Sequence, residues 1–392
     1  MAAPLQGVTV LEMANVISGP YAGMLLADLG ADVIKIEMPG RGDIFRAWSG
    51  DSDGIRASFA AYNRGKRSVT IDVRTAEGAK AYLELARSAD VIIENFRPGT
   101  LDRYGVGYEA VNSVNPRVLY CAVSGMGSTG PDSDRPTYDA IAQGMSGFWS
   151  QLTSMTDPEP VGPAMSDQLT GLYAALGITG ALAGGGRNGP GQRMDISMLG
   201  STLAFNTASI ASFLMDGELA DKVSRARRSQ SYAFVAGDGL PFAVHLSTPQ
   251  KFWKGLAEVA SRPELVDDPR FRTKRDRIAN YDALHEVLQK AFGADTRDRW
   301  LTDLRDRDVP AGPINTIAEA LDEPQVQHLQ MVRRFGEGPR ALDLVGFPFS
   351  FSSAELSQEL PPPTVGEHTE EVLREAGFSD AQIAELRTAS AI

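Results

Sequence analysis

The sequence predicts an α/β protein, a sheet flanked by helices, with a second and smaller α+β unit. Three observations predict it. Short apolar runs alternate with helix-like segments from Val8 to Met215, the pattern of strand–helix–strand crossovers. A basic polar stretch, Ser224-Arg225-Ala226-Arg227-Arg228-Ser229, interrupts that texture and reads as a linker. A hairpin signal and amphipathic helices follow it, and strand-like patterning returns only near residue 330.

The elements follow in order. Val8 to Met13 reads as a short buried strand, and Asn15-Val16-Ile17-Ser18-Gly19-Pro20 as a turn. Tyr21 to Leu29 is helical, with Gly30 as its natural stop. Asp32 to Glu37 is the next strand, and the helical connection implies a parallel pair. Further strands are expected at Arg67 to Val73, Asp90 to Glu94, Arg117 to Val123 and Gly191 to Ser197. Helices are expected at Ala76 to Arg87, Tyr138 to Phe148, Asp167 to Ala183 and, as one long apolar helix, Leu199 to Met215. Tyr232 to Ala236, Gly237-Asp238-Gly239 and Leu240 to Leu246 form the hairpin signal. Helices Pro249 to Ala260, Ala279 to Phe292 and Thr296 to Arg305 come after it. Near the end, Pro361-Pro362-Pro363 is a stiff spacer. Glu370 to Glu375 is a helix stopped by Gly377, and Ser379 with Gln382 has capping-box spacing.

Composition limits the function. The 392 residues are 43% hydrophobic, enough for a large core and two domains. A net charge of −12 argues against a general binder of nucleic acid or of an anionic membrane. A polyanionic ligand would therefore need a local Lys/Arg cluster. Cys121 is the one cysteine, so neither an intrachain disulfide nor a cysteine metal cluster is expected; it reads as a core thiol. His245, His285, His328 and His368 are scattered singly, which disfavours a zinc site, and no metal is expected. No run is apolar for long enough to span a bilayer, and the first residues lack the regions of a signal peptide. The cytosol is the expected compartment.

Common cofactor motifs are missing. The first turn offers only Gly19 before Pro20, not the G-x-G-x-x-G of a dinucleotide site. Gly184-Gly185-Gly186-Arg187-Asn188-Gly189 joins a helix to a strand and is not a phosphate cradle. Neither a Walker A sequence nor a G-x-S-x-G elbow occurs. The chemistry must rest on carboxylates, amides or a bound cofactor.

Asp167 is the carboxylate of interest. It stands where the turn-prone Val161-Gly162-Pro163-Ala164-Met165-Ser166 meets a small-residue apolar run, a helix start. Free N–H groups and the helix dipole would favour its ionised, nucleophilic form there. On this segment alone, a simple helix cap by Asp167 or Ser166 is the commoner reading.

Several segments together resemble the family III CoA-transferases, which include formyl-CoA:oxalate and carnitine CoA-transferases and the α-methylacyl-CoA racemases. The pieces are Leu5 to Glu12, Ser18-Gly19-Pro20, Leu26 to Glu37, Gly42-Asp43, Asn63 to Ser68, Glu94-Asn95-Phe96-Arg97-Pro98-Gly99 and Asn115-Pro116-Arg117. Later come the Asp167 segment, Gly189 to Gln192 and Gly366-Glu367-His368-Thr369. They run in family order over nearly the whole chain.

The resemblance implies a Rossmann-like large domain from both chain ends, residues 1–225 plus 330–392, and a small inserted domain at 226–329. It also implies an interlocked homodimer. The family's nucleophilic aspartate falls on Asp167. The implied reaction moves CoA from an acyl-CoA to a small carboxylic acid through anhydride and aspartyl-CoA thioester intermediates. CoA would be part of the substrate, with no permanently bound cofactor. Implied CoA contacts are Ile17, Ser18, Lys66, Asn95, Phe96, Arg97 and Arg103, with Arg64, Lys66 and Arg67 forming a basic cluster. Tyr138 and Asp139 fall in the substrate region.

The departures are informative. The racemase branch needs a His-Asp pair where this chain has Tyr138-Asp139, and tyrosine is a poor base at neutral pH. Transferase is favoured and racemase is the alternative. The formyl-CoA transferase branch has a glycine-run lid where His245-Leu246-Ser247-Thr248-Pro249 stands here, so neither a lid nor oxalate/formate specificity is implied; His245 reads as structural. A CoA-binding scaffold and a nicotinamide oxidoreductase are weaker rivals. A dicarboxylyl-CoA such as succinyl-CoA is the donor that family habit suggests.

Overall fold

The computed structural model describes residues 2–48, 55–185, 189–354 and 360–392. Residues 186–188 of the glycine-rich stretch lie outside the described residues.

The first half of the chain builds one sheet. The strands are β1 (Thr9–Met13), β2 (Asp32–Glu37), β3 (Lys66–Thr70), β4 (Val91–Glu94), β5 (Leu119–Ser124) and β6 (Gln192–Ser197). Their spatial order is β3-β2-β1-β4-β5-β6, and every neighbouring pair is parallel. That is the dinucleotide-fold order, whose direction reverses between β1 and β4. Ligands in such sheets bind beyond the strand ends at that reversal.

The connections are helical. They are α1 (Ser18–Asp28), α2 (Ala57–Asn63), α3 (Ala76–Ala86), α4 (Thr100–Arg103), α5 (Tyr108–Val114), α6 (Asp139–Met145) and α7 (Met165–Gly185); α8 (Met198–Phe205) follows β6. Alternation along the strands sends side chains to two cores. Leu11, Ile34, Ile92 and Tyr120 meet Tyr82 and Leu85 of α3 on one face. Val10, Val33, Val91 and Cys121 meet Leu25 of α1 and Ala174 and Ile178 of α7 on the other. Cys121 is a core thiol, and burial pushes its pKa well above the ordinary range.

The chain's end returns to this sheet. Val372, Leu373, Ile383 and Leu386, from helices Thr369–Glu375 and Asp380–Thr388, join the α3-side core. The Ser379/Gln382 capping box opens the last helix. The large unit comprises residues 1–149, 160–210 and 330–392.

The second unit comprises residues 150–159 and 211–329, so the expected boundary at 225 falls inside it. Its hairpin, β7 (Ser231–Val235) and β8 (Pro241–His245), is antiparallel, with β9 (Ala311–Pro313) on its far edge. Trp253, Phe271, Phe292 and Trp300 fill its core. His245 exchanges a 2.8 Å hydrogen bond with Ser231, a structural contact.

Two expectations need correction. The basic stretch at 224–229 is a short helix, not a linker; Arg227 and Arg228 pair with Asp282 and Glu218. The apolar run from Leu199 to Met215 is two helices bent by 71° at Asn206. No single helix among the described residues is long and apolar enough to cross a membrane.

Candidate active site

A cleft of about 240 Å³ lies in the large unit, at the reversal between β1 and β4. The turn after β1 contributes Asn15, Val16 and Ser18, and the loop after β4 contributes Asn95, Phe96 and Arg97. Ser124 and Gly125 follow β5, Arg135 and Tyr138 lead into α6, and Asp167 completes the lining from α7.

Asp167 does not cap its helix. The helix begins at Met165 and places Asp167 in its first turn, 8% exposed. The cap is Asp139. Its Oδ1 accepts from the N–H groups of Ser166 at 2.8 Å and Asp167 at 3.2 Å. Gln143 holds the other oxygen at 2.5 Å. The Ser166 hydroxyl bonds Thr202 at 2.7 Å, which fixes the start of α7 against α8.

This reverses the expected electrostatics. Burial, and after it the Asp139 charge, raise the Asp167 pKa, the hydroxyl and backbone N–H of Ser18 oppose the rise, and the net value is about 7. The helix-start donors expected to ionise Asp167 are spent on Asp139. Its own donors come instead from the first turn of α1, where backbone N–H groups lack intrahelical partners. Gly171 permits that arrangement: a Cβ there would lie 2.6 Å from the Ser18 carbonyl oxygen and 3.0 Å from Tyr21. Helices α1 and α7 therefore touch backbone to backbone, one turn below Asp167.

Asn95 secures the turn before α1. It accepts from the Asn15 N–H at 2.9 Å and donates to the Asn15 carbonyl at 2.7 Å and to the Ser18 hydroxyl at 3.3 Å. Beneath it, Glu94 accepts the Phe96 N–H at 2.8 Å, and burial raises its pKa to about 7.

The expected contacts divide. Ser18, Asn95, Phe96, Arg97, Tyr138 and Asp167 line the cleft. Ile17 does not; its side chain is buried. Arg103 lies on α4 outside the lining and bonds Thr100 at 3.3 Å. Lys66 is a clear correction. It is 1% exposed and held by Glu12 at 2.6 Å, Asn63 at 2.8 Å and the Pro20 carbonyl at 2.8 Å. A buried ammonium survives only when so paired. Arg64 pairs with buried Asp28, and Arg67 with Asp32, Glu371 and Glu375. The basic cluster is thus consumed internally. Arg135, Ser133 and Ser124 line the cleft instead and were missed in the sequence. Ser124 had a signal, its place at the carboxyl end of a strand; Arg135, on a loop, had none. Tyr138 is 65% exposed at the rim and Asp139 faces the α7 start, so they do not form an acid/base pair across the cleft.

Comparisons with known proteins place the chain in a family. The family model described as CoA-transferase family III matches residues 5–369. The succinate–glutarate CoA-transferase of Agrobacterium fabrum is 36% identical over 95% of each chain. The acetyl-CoA:oxalate CoA-transferase of Acetobacter aceti is 34% identical over 91% of this chain and 92% of its own. The crystal structure of a CaiB/BaiF family protein from Brucella suis covers 96% of this chain and 100% of its own, at 35% identity and a TM-score of 0.86. The chain belongs to CoA-transferase family III, enzymes that move CoA between an acyl-CoA and a carboxylic acid.

Proposed function

We propose that this transferase works through covalent catalysis on Asp167, with dicarboxylic acids as donor and acceptor groups. One observation carries the reading: a buried carboxylate lines the cleft at the sheet's reversal and faces the Ser18 donors.

The chemistry suits that setting. An Asp167 oxygen attacks the thioester carbonyl carbon, the C–S bond breaks, and CoA leaves as thiolate from a mixed anhydride. The thiolate attacks the Asp167 carbonyl carbon, releasing the donor carboxylate and leaving an aspartyl-CoA thioester. An acceptor carboxylate attacks the same carbon, and CoA leaves again. The thiolate then attacks the acceptor's acyl carbon, forming the new acyl-CoA and restoring Asp167. Every nucleophile and leaving group is an anion, so no step needs a proton-transferring base. A histidine at position 138 is unnecessary for this cycle. Each step builds an oxyanion beside Asp167, where the Ser18 N–H and hydroxyl are already directed. A pKa of about 7 balances the ionised fraction against nucleophilicity, which falls as the pKa falls.

The named relatives support the acids: glutarate and succinate in one, oxalate in another. Among the described residues, Arg97 and Arg135 are the cations lining the cleft, and either offers a planar fork for a phosphate or carboxylate. We also propose a homodimer. Leu172 and Leu176 on α7 and Phe205 on α8 are 50%, 63% and 50% exposed, more apolar surface than isolated residues explain.

Intact-protein mass spectrometry tests the mechanism. The protein is incubated with succinyl-, glutaryl-, oxalyl- and acetyl-CoA, trapped with hydroxylamine, and compared with Asp167→Ala. Expected is an adduct mapping to Asp167 in the native enzyme alone, strongest with dicarboxylyl donors. Turnover by Asp167→Ala at the native rate would end the reading.

A further inference from the structure

Asp43 lies outside the reaction path, yet it grips the turn that presents Ser18. It is 1% exposed and sits beyond the end of β2. Its Oδ1 accepts from the Val16 N–H at 3.1 Å and the Phe45 N–H at 2.9 Å. Its Oδ2 lies 3.0 Å from the Lys35 ammonium. Its own N–H donates to Glu37 at 2.8 Å, and Glu37 is held by Arg46 at 2.8 Å and Ser68 at 2.6 Å. The carboxylate is fixed before it meets Val16.

Val16 needs fixing. Its φ is +68°, the left-handed region, which a β-branched side chain enters only under constraint from its surroundings. Two grips supply the constraint: Asn95 on the Asn15 peptide and Asp43 on the Val16 N–H. Two residues later α1 begins at Ser18. If Val16 relaxed to negative φ, the chain would enter α1 along another path and the Ser18 donors would turn from Asp167.

We propose that Asp43 is a positioning residue for CoA transfer: by holding Val16 left-handed, it keeps the Ser18 N–H and hydroxyl directed at Asp167. The inference rests on the Asp167 reading above. It is separable from fold stability, because Lys35 retains Glu12 at 2.8 Å and the Ala14 carbonyl at 2.7 Å without Asp43.

Kinetics on the full chain test it, with the pH profile as the discriminating readout. The groups facing Asp167 are Ser18 from α1, Asp139 from α6 and Tyr62 from α2. Asp43→Ala should lower kcat by about 10- to 100-fold, the scale of a small misplacement. It should also move the acid limb of kcat/KM to higher pH, since the Ser18 donors are what hold the Asp167 pKa down. Ser18→Ala and Asp43→Ala should combine less than multiplicatively, because both act through one contact. Val16→Gly in the Asp43→Ala background should recover several-fold activity, since glycine takes φ +68° freely. Asp43→Asn, which keeps an acceptor oxygen for Val16, should lose less than Asp43→Ala and serves if the latter folds poorly. An unmoved acid limb, fully multiplicative losses, or an Asp43→Ala enzyme that forms the trapped adduct at the native rate would overturn the proposal alone. Absence of any adduct in the native enzyme would overturn the Asp167 reading and this proposal with it.

Discussion

The starts of α1 and α7 face each other across the candidate site and are used in opposite ways. At α7 the free N–H groups are closed off by Asp139, a carboxylate from a separate helix. At α1 they remain available, and Ser18 turns both backbone and hydroxyl donors to Asp167. The same local feature, a helix start with orphan donors, is a structural joint in one place and an anion site in the other. Asp167 sits in the first turn of α7, but the donors there that would hold its pKa low are taken by Asp139. Placed opposite another helix start, with burial dominating, Asp167 titrates near 7.

The largest test of that contrast is Asp167→Asn. Loss of a covalent nucleophile should lower kcat by about 10⁴-fold or more. The same change should stabilise the fold. In the native state Asp167 holds its proton up to about pH 7, whereas the unfolded chain loses it near the ordinary aspartate value. Stability therefore drains away as pH rises between those values, and the full cost is present above pH 7. At pH 8 the variant should gain up to about 4 kcal/mol, and below pH 4 nothing from this source. Urea melts at the two pH values measure it.

Gly171→Ala attacks the facing of the two helices without removing a polar group. Its Cβ would sit 2.6 Å from the Ser18 carbonyl oxygen, so α1 must shift. A loss of about 10- to 100-fold in kcat is expected from steady-state rates. A native kcat would mean that the α1–α7 separation does not set the chemistry.

Ser18→Ala and Asp139→Asn should move the pH–rate profile in opposite directions. Ser18→Ala removes a donor that lowers the Asp167 pKa, so the acid limb of kcat/KM should rise, with about a tenfold loss at neutral pH. Asp139→Asn removes a like charge, so the limb should fall to lower pH. The asparagine can still accept the α7 N–H groups, so the stability cost should be under about 1 kcal/mol. An acid limb unmoved in both variants would point away from Asp167 and to Glu94, which neither residue influences.

The smallest expected effects compare two basic segments. Arg97→Ala should raise KM for acyl-CoA a few-fold and weaken its salt dependence, because that guanidinium lines the cleft. Arg67→Ala should leave KM unchanged, because Asp32, Glu371 and Glu375 already occupy that side chain. Equal KM effects would place the two arginines in one site.

Much of this was legible in the sequence. Strand–helix alternation specified a parallel sheet, because short apolar runs joined by helices have few other ways to bury both faces. The hairpin, the terminal capping box and the core thiol at Cys121 followed from local pattern, and Asp167 from its place among family segments. What local pattern could not supply was pairing at a distance. Lys66 and Arg97 are alike as sequence, each a cation beside a strand end. Only the fold sets Glu12 against Lys66 and leaves Arg97 at a cleft. Asp139 stands 28 residues from Asp167, yet it takes the cap that local pattern assigns to Asp167 or Ser166. Sequence by itself determined the class of fold and the family, and singled out Asp167 as the proposed nucleophile, because those depend on residue type and order. Tertiary structure decided which charges are spent and which are free, and how high the Asp167 pKa stands. Burial and Coulomb energies depend on distances that the chain order does not contain.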